Sequence, residues 1–248
     1  MVDDYAVSEW DSYYERFRSG EAIAPIFRDL ILADAKQVNQ DGELVLLDIG
    51  CGEGLVHRQG LQRTLAKAVS QYIGIEPDLD IQLGGYFTSQ YRCLFEDAPV
   101  QSDSIDVAFA AMVLEHLADP QVFWDKVYAV LRPGGIFWGL TVDARHWFAL
   151  LSFVVERFHI KDWYLSTIRG KRGIDRYDNY ATYYRSNRPR QIRRMTRKFR
   201  QTEILNFGRV GQFDYYVPVK LRWLIHTFER LTVHLGWPGV TMAVRVEK

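Results

Sequence analysis

Residues 46–54 read LLDIGCGEG. An apolar run ends in Asp48, and Gly50, Gly52 and Gly54 then alternate with Cys51 and Glu53. Such a turn lets backbone approach a ligand closely. Several ligand chemistries compete for it. A mononucleotide phosphate loop needs Gly-x-x-x-x-Gly-Lys-Ser/Thr, because the lysine neutralises phosphate. The residues after Gly54 are LVHRQG, with no lysine. A dinucleotide fingerprint needs Gly-x-Gly-x-x-Gly, whereas the spacing here is Gly-x-Gly-x-Gly. The carboxylates Asp48 and Glu53 are poor neighbours for a pyrophosphate and suit a cation or a hydrogen-bond donor. Glu76 closes the next apolar stretch, YIGIE, 26 residues after Gly50. A carboxylate there can accept both hydroxyls of a ribose. The ligand these residues describe has a ribose, positive charge and no phosphate.

The elements that must position them alternate. Residues 44–49 are a short apolar strand, continuous enough to be buried on both faces. A helix is predicted over 54–70, then strands over 72–76, 91–95 and 105–111. An amphipathic helix over 119–131 leads into RPGG at 132–135, a tight turn before a strand over 136–142. This alternation predicts a parallel sheet with helices on both faces. Two helices, 5–18 and 21–38, precede it. The tail adds a helix over 188–200, a strand over 202–210, an aromatic helix over 218–235 and a closing strand over 240–247.

Composition sets the limits. The chain has 248 residues, with 31 basic and 31 acidic side chains, so no global charge argues for a polyanionic partner. Its two cysteines, Cys51 and Cys93, make neither a disulfide framework nor a metal set. They point to a reducing, cytoplasmic setting, and no metal is expected. The opening MVDDYAVSEW is acidic and unlike a secretory signal. The apolar run WFALLSFVV at 147–155 is too short to span a bilayer.

S-adenosylmethionine fits the ligand description: an adenosine, a sulfonium and an ammonium. The chain resembles the class I S-adenosylmethionine-dependent methyltransferases, in particular the bacterial group acting on small-molecule and lipid-linked substrates. The resemblance rests on LLDIGCGEG at 46–54, YIGIEPD at 72–78, SIDVAFAAMVLEHLADP at 104–120 and LRPGGIF at 131–137, in the family's order. It implies an α/β, Rossmann-like, seven-stranded, mostly parallel sheet with a reversed last strand, and helical insertions. It also implies one domain over 1–248: a helical lid at 1–40, a cofactor core at 41–142, an acceptor region at 143–237 and the last strand at 238–248. By the same resemblance Asp48 and the loop Gly50, Cys51, Gly52 and Gly54 meet the methionine part. Glu76 with Pro77 meets the ribose. Glu96, Asp97 and Ala98 meet the adenine, with Asp97 favoured for its amine, and Ala111 completes the wall. FEDAPV at 95–100 is shorter than the family's usual Gly-Asp-Ala stretch here.

Cys51 reads as a small residue beside the cofactor rather than a nucleophile. His116, after the fourth strand, is a candidate general base, with packing as the competing reading. His146 and Asp143, after the fifth strand, are further catalytic candidates. The implied reaction is in-line methyl transfer to O or N of a small-molecule or lipid- or glycan-type acceptor. A silent S-adenosylmethionine-binding regulator is the second reading, and an RNA methyltransferase the third. Residues 185–200 carry seven arginines and one lysine without an acid. A solvated face comes first for them, contact with phosphate or a membrane surface second, and nucleic acid last. The partners expected are therefore an acceptor and a peripheral membrane contact.

Overall fold

Apolar strands separated by helices assemble into one sheet. The structure is a computed structural model; it describes residues 9–38, 43–52, 54–56, 58–147, 181–212, 214 and 217–248. Strands β1 (Val45–Ile49), β2 (Gln71–Ile75), β3 (Ser89–Tyr91), β4 (Ile105–Ala111), β5 (Leu131–Val142), β6 (Gln201–Phe207) and β7 (Thr241–Glu247) lie in the order β3-β2-β1-β4-β5-β7-β6. The pairings among β1 to β5 are parallel, and β7 runs antiparallel to both neighbours, β5 and β6. This is the mostly parallel, seven-stranded sheet with a reversed last strand that the resemblance implies.

Alternate residues of each strand point to opposite faces. Leu47, Ile49, Ala108, Ala110 and Phe137 face α4 (Pro120–Val130) and α5 (Pro189–Met195). Leu46, Val107, Phe109, Trp138 and Leu140 face α1 (Asp11–Arg18) and α2 (Ile23–Val38). Helix α2 buries Ile26, Phe27, Leu30, Ile31 and Asp34, one stripe at helical spacing. Asp119 caps α4 by accepting the Gln121 N–H at 3.1 Å. Helix α5 starts on Pro189 and inserts Ile192 and Met195 beside Trp124.

Several element boundaries differ from the expectations. Helix α3 spans only Gln59–Ala66, and turn bonds stand ahead of it: Gly54 N–H donates to Cys51 O and Arg58 N–H to Leu55 O, both at 3.2 Å. Strand β3 ends at Tyr91, where the predicted strand begins, and Phe95–Asp97 is a 3₁₀ turn. The RPGG stretch is an irregularity inside β5 rather than a turn ahead of it. Gly134 N–H donates to Lys248 O and Lys248 N–H to Gly135 O, each at 3.0 Å, so the bulge stays paired. Helix α6 is Arg222–His234, preceded by a 3₁₀ turn at Val219–Leu221. Most of the aromatic segment predicted at 146–168 lies outside the described residues, as do Glu53 and the first eight residues.

A buried charge knot ties the far side of the sheet together. The Asp34 carboxylate on α2 accepts from Trp138 Nε1 at 2.7 Å, Arg245 Nε at 2.8 Å and Arg245 Nη2 at 3.1 Å. Arg245 Nη1 also reaches Glu203 at 3.1 Å. One acid thereby joins α2, β5 and β7. Asp34→Ala would leave the Arg245 guanidinium buried beside an empty space. The expected loss is about 3–5 kcal/mol of unfolding free energy in urea titration, the range for a broken buried pair. A loss under about 0.5 kcal/mol, typical of surface sites, would mean that the knot carries little of the stability.

Candidate functional site

Strands β1, β2 and β4 end side by side, and the residues after them face one edge of the sheet. The turn after β1 folds back on β2: Gly50 N–H and Cys51 N–H both donate to Ile75 O, at 2.8 and 3.0 Å. Gly50 has φ +69°, and a Cβ there would come within 2.5 Å of Val113 Cγ2. The turn can lie against the end of β4 only without a side chain. On the other side of it, Ala111 ends β4 and Met112 follows with φ +60°, its N–H donating to Leu140 O at 2.7 Å.

Glu76 is 5% exposed at the end of β2. Its Oε2 accepts the Gly52 N–H at 2.8 Å and its Oε1 the Asp78 N–H at 3.0 Å. These bonds fix the carboxylate, and each oxygen keeps a further lone pair for a donor. Pro77 starts the loop that follows. Arg92 clasps that loop through the carbonyls of Asp78 and Ile81. Arg92 escaped the sequence reading, because a cation that binds backbone carbonyls leaves no partner pattern in the chain. Beyond β3, Phe95 packs on Phe123 at 5.3 Å and sets the 3₁₀ turn carrying Glu96, Asp97 and Ala98. Glu96 is half-buried and Asp97 exposed, while Lys126 Nζ holds Ala98 O at 2.9 Å.

Asp48 lies underneath. Its Oδ2 accepts from Gln62 Nε2 at 2.7 Å and from the Tyr72 hydroxyl at 2.8 Å. Gln62 Nε2 also donates to Cys51 O at 2.8 Å, so the acid and the glycine turn share one clamp. Burial pushes the Asp48 carboxyl up to about 7, against the pull of those two bonds, and the charge of Glu76 adds to the rise. Burial also raises the Cys51 thiol far above its ordinary range, so it carries no thiolate.

The three catalytic candidates fall in two places. His116 closes a 3₁₀ turn after β4, with Nδ1 3.2 Å from the Ala181 carbonyl. A carbonyl only accepts, so Nδ1 donates in this bond. Asp143 and His146 stand beyond β5. Asp143 is fully buried; Arg145 grips it through Nη2 at 2.7 Å and Nε at 3.0 Å, and Asn206 Nδ2 donates at 3.1 Å. Burial pulls His146 down to about 4, although Asp143 opposes it, so the ring is neutral at ordinary pH. His146 lines a small cleft with Arg209, Gln212, Glu229 and Trp237.

Glu115 is a further acid that the sequence reading passed over, hidden in an apolar run. It is 5% exposed, and burial raises its carboxyl. Its Oε2 accepts from Thr141 Oγ1 at 2.7 Å, and its carbonyl accepts the Tyr183 N–H at 2.8 Å. Asn187 Nδ2 joins the same hydroxyl at 2.7 Å. Segment 181–187 is thus fastened over the ends of β4 and β5. Among the described residues no group of three or more His, Cys, Asp or Glu could hold a metal ion.

Residues 47–139 match the family described as methyltransferase domain. The ubiquinone biosynthesis O-methyltransferase of Nitrobacter winogradskyi is 29% identical over 157 residues, 60% of this chain and 55% of that protein. The enzyme of the same name from Parvibaculum lavamentivorans is 32% identical over 127 residues, 48% of this chain and 49% of that protein. The chain therefore spans about half the length of the curated relatives it matches. Among solved structures, a SAM-dependent methyltransferase from Archaeoglobus fulgidus superposes with a TM-score of 0.56 at 15% identity, covering 97% of this chain and all (100%) of that one. That likeness shows the fold.

Asp48 gives the folded state a pH signature. Its carboxyl titrates near 7 when folded and near 3.9 when unfolded. The folded state binds the extra proton between those values, so this group's contribution to stability falls as pH rises from about 4 to 7 and is flat above. Asp48→Asn keeps an acceptor for Tyr72 and Gln62 and removes the titration. Urea midpoints measured from pH 4 to 8 are expected to fall less steeply in the variant than in the parent. Parallel profiles would show that Asp48 titrates at its ordinary value.

Proposed function

We propose that this chain is a class I methyltransferase that binds S-adenosylmethionine and transfers its methyl group to an oxygen of a small or lipid-linked acceptor. The observation that carries the reading is Glu76, fixed by two backbone N–H groups beside the glycine turn and keeping acceptor capacity on both oxygens. Two ribose hydroxyls match it. We assign the cofactor to residues 41–142 and the acceptor to residues 143–237. The names of the curated relatives support oxygen over nitrogen as the methylated atom.

When bound, S-adenosylmethionine supplies an electrophilic sulfonium methyl. The chain's own residues would bind and orient. Asp48 and the backbone of Gly50 and Gly52 face the methionine part, Pro77 and Glu76 the ribose, and the 96–98 turn the adenine. Holding acceptor and methyl in contact is worth up to roughly 7–11 kcal/mol in favourable cases. An alcohol or phenol acceptor must also lose its proton. His116 Nε2 is the group we assign to take it, an effect of about 10²–10⁴-fold.

Calorimetry of the purified chain is expected to show binding of S-adenosylmethionine and its demethylated product without added metal. No binding of either at millimolar ligand would sink the reading. Glu76→Ala should weaken binding by about 1.5–3 kcal/mol, the range for hydrogen bonds to a charged group. Below pH 7 the cationic ligand should also expel the proton that Asp48 holds, so apparent enthalpies will differ between buffers of unlike ionisation heat. Asp48→Asn should abolish that difference.

His116→Ala should cut turnover of a phenol acceptor by about 10²–10⁴-fold while leaving cofactor affinity unchanged. The screen uses phenols with and without an apolar tail, and amines. Normal turnover in the variant would return His116 to packing.

A further inference from the structure

Helix α6 is turned inside out. The residues it buries are polar, Glu229 and Thr232. Its half-buried His226 bonds Asp214 at 2.6 Å, and Glu229 Oε2 accepts the Gly211 N–H at 2.7 Å. The large apolar side chains point outward instead. Trp223 is 64% exposed, Leu231 52% and Leu235 63%, with Val219, Leu224, Phe228, Val233 and Trp237 exposed alongside. None of these joins either core cluster of the sheet. Monomeric proteins seldom leave so much contiguous apolar surface to water.

The charges around the face select its occupant. Between 217 and 237 the only acid is Glu229, which is buried, against the basic Lys220, Arg222 and Arg230. An exposed apolar face whose neighbouring charges at 220, 222 and 230 are all cations, with Trp223 near its start, suits the boundary of an anionic bilayer. No described helix is long and apolar enough to cross a membrane, so the contact is made by lying on the surface.

We propose that the outward face of α6, from Val219 to Trp237, docks this chain on anionic lipid. The inner face of the same helix walls the cleft that His146 and Glu229 line. An amphiphile lodged in the bilayer would then meet the cleft without leaving the lipid boundary. The docking itself stands independently of the methyl-transfer reading.

Vesicle flotation tests it, with the whole chain and vesicles of phosphatidylcholine alone or mixed with phosphatidylglycerol. The chain is expected to float with the mixed vesicles at low salt, and roughly tenfold less with phosphatidylcholine alone or at high salt. Trp223→Ser, Leu231→Ser and Leu235→Ser combined should lower partitioning roughly tenfold or more. Lys220→Glu with Arg230→Glu should lower it about 30-fold. Thermal midpoints of both variants should match the parent, since exposed positions tolerate such changes. A parent that stays unbound in the presence of mixed vesicles overturns the proposal. So does a serine variant that melts far below the parent, because the face would then be covered by the rest of the chain. A parent dimer that the serine variant dissociates would assign the face to a second copy and overturn it equally.

Discussion

The turn after β1 packs its backbone directly against Val113, and a side chain at position 50 would block that approach. Everything at the candidate site is referenced to this contact. It brings the end of β1 level with the end of β4 while two N–H groups fasten the same turn to Ile75 at the end of β2. Glu76, the next residue, is then within reach of the Gly52 N–H. Behind it, Gln62 holds both Asp48 and the Cys51 carbonyl. Three neighbouring strands and one helix meet at a turn with no side chain to spare.

How far the chain could be read ahead of its structure follows from the range of the forces involved. The parallel half was legible, because strands buried on both faces must be largely apolar, and VLLDI and IDVAFAA are, with one Asp each. The glycine turn and Glu76 were legible because spacing along the chain sets their separation in space. Arg92, Glu115 and the Asp34–Arg245 knot were not: Arg92 binds backbone carbonyls, Glu115 sits inside an apolar run, and the knot joins distant segments. Asp34 and Arg245 are 211 residues apart. The end of β5 was misread for a related reason. Pro-Gly-Gly suggests a turn, yet pairing with Lys248 at the far end of the chain keeps it in the strand.

The two halves of the sheet treat their acids differently. On the β1–β2 side, carboxyl groups are held by neutral donors: Tyr72 and Gln62 for Asp48, backbone N–H groups for Glu76. On the β5–β7 side, Asp143 and Asp34 are gripped by Arg145 and Arg245. An acid paired to arginine already has its counter-charge. An acid held by neutral donors is still available to a cation. The electrostatics thus separate a half whose acids can still accept a positive group from a half whose acids are spent on holding the chain together.

Met112 completes this picture. It is not a glycine, yet its backbone is left-handed just after β4, at the rim of the candidate site, tied to Leu140. Such a conformation costs about 1–3 kcal/mol and persists only where the surroundings over-determine it. Some folding stability is therefore stored as strain at the rim. In return the rim is ordered before any ligand arrives, and little conformational entropy is left to be lost on binding. Glycine at position 112 would invert that exchange. The fold would shed its strain, and the ligand would have to restrain a backbone that the present chain restrains for it.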